Sequence, residues 1–95
     1  MAGKGYSGID KYKVTLEVLG IERHCTFGHR AGDKFEVDPF NSGGVCGSIY
    51  SIAHRFIIIL FAGVGLPWEA EPHIIHGACP DIYNVATYRL TREER

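Results

Sequence analysis

An uncharged apolar run, Phe56-Ile57-Ile58-Ile59-Leu60-Phe61-Ala62-Gly63-Val64-Gly65-Leu66, lies past the middle of the chain and limits its fold more than any other feature. Arg55 and Glu69 flank it closely, and it falls well short of the roughly 20 apolar residues a membrane span needs. It therefore reads as a buried segment. Just upstream, Ile49, Ile52, Ala53, Phe56 and Leu60 recur at helical spacing, which predicts one helix over residues 45–62. Asn41-Ser42-Gly43-Gly44 supplies breaker and capping residues before it, and Gly63 is a natural C-cap. The isoleucines of its second half lower its helix propensity, but the length and the end signals outweigh them.

On both sides of this helix the period is two. Val14, Leu16 and Val18 alternate with Lys13, Thr15 and Glu17, which predicts a half-buried strand over residues 12–22. Phe35 and Val37 alternate with Lys34 and Glu36 over 34–38, where Pro39 stops the strand. A short strand is expected at 73–78, and a last one at 84–93, where Ala86, Tyr88 and Leu90 alternate with Val85, Thr87 and Arg89. Two strands, a helix and two strands imply an α+β fold: a small antiparallel sheet of about four strands with one long helix on one face. The 95 residues hold one core, so residues 11–95 form a single domain after a Gly-rich tail, 1–10, expected to be poorly ordered.

A formal net charge of −1 argues against a nucleic-acid surface, which needs clustered Lys and Arg. The nearest candidate, Arg89, Arg92 and Arg95, is interleaved with Glu93 and Glu94. The first dozen residues hold no apolar stretch of a secretory signal, and three cysteines form an odd set. Together these favour reduced thiols in the cytoplasm over a disulfide framework. The predicted helix is apolar on every side, so some of its surface is expected to meet a second copy of the chain, making a homo-oligomer.

The three cysteines fall at polar or Gly-rich junctions, where a scaffold displays reactive groups. In Cys25-Thr26-Phe27-Gly28-His29 a thiol and an imidazole stand four apart with a glycine between them, so both can turn onto one ion. Zn²⁺ and Fe²⁺ accept such mixed ligands. Cys46 and Cys79 complete a Cys3His set, although they come from distant elements rather than from a second close pair. His76, three residues before Cys79, is the substitute ligand. Cys46 is expected in the first helical turn, where the dipole and unpaired amides stabilise a thiolate. Gly43 and Gly44 leave amides there for a small anionic ligand.

Cys46, Tyr50 and His54 share a helix face, but Cys46 and His54 are about 12 Å apart along the axis and cannot pair directly. His54 is expected to be a hydrogen-bonded core or interface residue. Asp33 reads as a turn residue, and Asp81 as a turn residue or a partner that orients a histidine. Glu69, beside Trp68, is either an acid–base group or a capping and surface residue.

Four segments in register resemble a family of small, largely uncharacterised prokaryotic proteins, frequent in anaerobic bacteria and archaea. They are Cys25-Thr26-Phe27-Gly28-His29-Arg30-Ala31-Gly32-Asp33-Lys34-Phe35-Glu36-Val37, Gly44-Val45-Cys46, Leu66-Pro67-Trp68-Glu69 and Cys79-Pro80-Asp81. The family pattern is C-x-x-G-H-x-x-G-D-x-F-x-V, a Gly-x-Cys helix start, P-W-E and C-P-D. The resemblance implies a stand-alone small protein and makes Cys25, His29, Cys46 and Cys79 family features, without supplying an activity. His54 and His76 depart from the pattern.

Three functions fit these residues. The first is a cytoplasmic protein holding Zn or Fe through Cys25, His29, Cys46 and Cys79. The second is a metal-free thiol enzyme acting on a small molecule, with Cys46 as nucleophile and His29 or His76 as its base. The third is a non-catalytic oligomeric module in which the thiols are incidental.

Overall fold

A computed structural model describes residues 11–21, 28–78 and 86–94. Within them the order is β1 (Tyr12–Ile21), β2 (Lys34–Val37), α1 (Gly47–Phe61), β3 (Ile74–Ala78) and β4 (Ala86–Glu94). The strands form one antiparallel sheet in the order β2-β1-β4-β3, with the helix on one face, so the fold is α+β. No helix among the described residues is long and apolar enough to cross a membrane. The expected N-terminal tail lies outside the described residues.

Alternation decides which face of the sheet is covered. Val14, Leu16, Val18, Val37, Ile75, Ala86, Tyr88 and Leu90 are buried toward the helix. Leu16 pairs with Leu90, and Leu90 with Ile75, so one apolar row crosses three strands. The opposite face carries the row Lys34, Glu17, Arg89 and His76, where Arg89 donates to Glu17 at 2.6 Å. The register shifts between Val18 and Gly20, and Leu19 is turned outward there.

The helix buries Ile49, Ala53, Ile57 and Leu60. Ile52, expected inward, is 37% exposed, and Phe56 is only partly buried. One helix lying on a sheet has a narrow contact stripe, and residues 49, 53, 57 and 60 follow it at about 3.6 per turn. The helix is also shorter than the expected 45–62. Cys46 is its N-cap, in extended conformation, and Ala62 its C-cap. Gly63, at φ +79°, follows as expected: its amide reaches the Leu60 carbonyl, and that of Val64 the Ile59 carbonyl. This is a Schellman motif, in which glycine takes the left-handed position.

Side chains from the sheet side hold the helix ends. Arg92 of β4 donates to the carbonyl oxygens of Leu60 and Val64 at 3.0 and 2.9 Å, complementing the negative end of the helix dipole. At the other end the chain leaves β2 through a tight turn closed by Asp38 and Asn41. Gly43, at φ +64°, packs so closely on the Glu36 carbonyl that no side chain fits there.

The apolar row across the sheet lies at the centre of the buried core. Leu16 is fully buried in it. Leu16→Ala should lower unfolding free energy by about 3 kcal/mol, within the range for buried leucines, in urea titrations followed by circular dichroism.

Candidate functional site

His29 and Cys46, seventeen residues apart in sequence, meet at the start of the helix. The turn after Gly28 carries His29 inward, where it is 6% exposed and its ring lies 5.0 Å from that of Phe35. Asp33 closes that turn as expected: its carboxylate accepts from the Arg30 amide, and its own amide donates to the Arg30 carbonyl. The imidazole Nε2 accepts the Cys46 backbone N–H at 3.1 Å.

That contact has chemical consequences. Cys46 has no side-chain capping bond of its own, so the imidazole takes up an amide the helix leaves unpaired. Nε2 is an acceptor here, so it carries no proton and its lone pair is in use. Binding an ion through Nε2, or taking a thiol proton there, requires this bond to be given up. Cys46 stands at the N-cap rather than inside the first turn, because Gly43 and Gly44 delay entry into helical conformation, and it is 7% exposed. The Gly43 amide donates to Asn41 Oδ1, and the Val45 amide to the Ser42 carbonyl. Of the amides around the Gly43-Gly44 pair, where an anion was expected, those of Gly43, Val45 and Cys46 thus already have partners.

Tyr50 and His54 share the expected helix face and anchor the preceding turn. The Tyr50 hydroxyl donates to the Asp38 carbonyl at 2.9 Å, and His54 Nε2 donates to the Pro39 carbonyl at 2.8 Å. Burial, and then the Asp38 charge, raise the Tyr50 phenol above its ordinary value. His54 is thus a structural histidine.

A second constellation lies at the sheet edge. The loop after the helix brings Glu69 against β3, where Oε2 accepts the His76 amide and Oε1 pairs with His76 Nδ1, both at 2.9 Å. In this antiparallel register the His73 carbonyl receives the Arg92 amide, so the Ile74 and His76 amides point away from β4. The Glu71 carbonyl takes the first and Glu69 the second, covering an edge that would otherwise be open. Nothing in the sequence announces this pairing, because the partners are seven residues apart across a turn. The Trp68-Glu69 segment and His76 were each visible only as isolated candidates.

Cys25 and Cys79 lie outside the described residues, as do His24 and Asp81. Among the described residues no group of three or more His, Cys, Asp or Glu side chains is placed to hold a metal ion. His76, the substitute ligand, is engaged through Nδ1 with Glu69, and the structure does not pair it with His29 or Cys46. A hollow of about 510 Å³ lies on the open face of the sheet, between Lys13, Glu17, Lys34 and Arg89, and holds neither Cys46 nor His29. No family model, curated protein or solved structure matches the chain.

Removing the His29 ring strands the buried Cys46 amide. His29→Ala should therefore cost roughly 1–3 kcal/mol in denaturant titrations, and a fully native midpoint would show that the bond contributes nothing. Glu69 supplies a pH dependence. The His76 amide first, and the His76 ring second, hold its carboxyl below its ordinary 4.5, with burial opposing. A carboxyl depressed in the folded state stabilises the fold above its unfolded value, and that contribution fades as pH falls through the lower folded value. In melting series run downward from neutral pH, the gap between wild type and Glu69→Gln should therefore close on the acid side.

Proposed function

We propose that this is a cytoplasmic metal-binding protein that holds Zn²⁺ or Fe²⁺ through thiolates gathered where α1 begins. The observation that supports this is the His29–Cys46 contact, which fixes Cys46 beside a residue only four positions after Cys25 in the sequence. Topology adds to it. Ile21 pairs with Ala86 and Ala78 with Thr87, so the chain departs toward Cys25 and toward Cys79 from one end of the sheet. The helix C-terminus lies at the opposite end, against Tyr12 and Arg92, so its N-terminus faces that same end.

Cys25, Cys46 and Cys79 are the ligands in this proposal. His29 either orients Cys46 through its amide or becomes the fourth ligand by turning Nε2 from that amide to the ion. Three thiolates alone leave a position open for Lewis-acid chemistry on a small substrate, whereas Cys3His closes the site and makes it structural. The metal-free alternative, with Cys46 as nucleophile and His29 as base, fits less well, because the Nε2 lone pair is directed at the amide and the thiol is buried. Assembly into a homo-oligomer belongs to the same proposal. Ile58, Val64 and Trp68 are 45%, 55% and 73% exposed on the helix and the segment after it, and a second copy would cover them.

Metal analysis of the anaerobically purified chain tests the proposal. About one equivalent of zinc or iron is expected, falling in each of Cys25→Ser, Cys46→Ser and Cys79→Ser, with chelator lowering the melting temperature. Less than about a tenth of an equivalent in the unmutated protein would end it. Serine variants that keep both melting temperature and assembly would instead favour the interaction module.

A further inference from the structure

The Glu69–His76 pair has a geometry that edge protection alone does not require. Blocking the His76 amide needs one carboxylate oxygen, yet the second is aimed at Nδ1 of the same residue at 2.9 Å. With both oxygens engaged the carboxylate cannot rotate, and its side chain is only 12% exposed. The imidazole is 53% exposed, and Nε2 has no partner among the described residues. A carboxylate at Nδ1 places the ring proton there and leaves the Nε2 lone pair pointing outward. It also stabilises the imidazolium formed when Nε2 takes a proton.

A hollow of about 120 Å³ opens beside this ring, lined by Glu69, Ala70, Glu71, Ile74 and His76. It has room for several waters or for a small acyl group. Ala70 and Ile74 give it apolar walls. Two carboxylates, with no Lys or Arg among the described lining residues, disfavour an anion, and Arg89, the register neighbour of His76, is committed to Glu17. Among the described residues no Ser, Thr or Cys lines it, and water is the attacking group assigned here.

We propose that Glu69 and His76 form a general-base pair that activates water for the hydrolysis of small uncharged esters seated in this hollow. A water oxygen adds to the ester carbonyl carbon as its proton passes to His76 Nε2. The tetrahedral intermediate then collapses, the carbon–oxygen bond to the alcohol breaks, and the imidazolium returns its proton to the departing oxygen. The sum is ester plus water giving acid plus alcohol, with no metal or other cofactor. His76 is the catalytic residue, and Glu69 positions it and fixes its tautomer.

The test is hydrolysis of 4-nitrophenyl acetate by the full chain as purified, with metal content assayed on the same samples, which separates this activity from the metal proposal. His76→Gln keeps the backbone bond to Glu69 and should lower the protein-catalysed rate at least about tenfold, whereas His54→Gln, a control at a histidine held by the Pro39 carbonyl away from the hollow, should not. Nitrogen-15 NMR of the unmutated protein should show His76 with its proton on Nδ1, and Glu69→Gln should weaken that preference and lower kcat more than it changes KM. A His76→Gln rate equal to wild type, or a His76 ring protonated on Nε2 in the neutral form, would overturn the proposal. Both readouts hold even if Glu69→Gln fails to fold.

Discussion

One helix has to cover the apolar face of a four-stranded sheet, and it does so only if its two ends are fixed. A helix of fifteen residues, about 22 Å long, leaves unpaired amides at one end and carbonyls at the other. At the start, His29 accepts the Cys46 amide; at the finish, Arg92 donates to two carbonyls. Both come from segments remote in sequence, so each end bond is also a tertiary bond. Tyr50 and His54 add two more, to the carbonyls of the turn that leads in from β2. The stripe of Ile49, Ala53, Ile57 and Leu60 can then lie along the row that runs from Leu16 through Leu90 to Ile75.

The imidazoles divide by environment. His29 and His54 are committed to backbone groups, one accepting and one donating, and each closes a junction around the helix start. His76 stands on an edge strand with one nitrogen held by a carboxylate and the ring half in solvent. The same residue type thus serves as a cap inside the fold and as a chemically available group at its rim. Burial decides which, because a buried ring nitrogen needs a partner and an exposed one does not.

The fold was legible because its periodicities were unmixed. Val14, Leu16 and Val18 in one strand, and Ala86, Tyr88 and Leu90 in another, alternate without interruption, and both strands pair as the alternation requires. Gly63 marked the helix end through its left-handed conformation. The helix start was misplaced by two residues, since Asn41 spends its side chain on the Gly43 amide instead of capping the helix. Ile57 and Ile52 exchanged roles because, in a segment apolar on every side, composition cannot say which side meets the sheet.

The candidate site was legible only as a set of residue types. His29 and Cys46 could be named together from the sequence, but not that they meet through a main-chain amide. By itself the sequence determined the strand faces, a single helix and an α+β class, since these follow from local spacing and from turn chemistry at glycine and proline. Only the tertiary structure decided which atoms meet: Nε2 of His29 with the Cys46 amide, and Glu69 with the backbone amide and ring Nδ1 of His76. Such contacts depend on how elements distant in the chain are oriented, and that orientation is set by packing, which a one-dimensional pattern does not record.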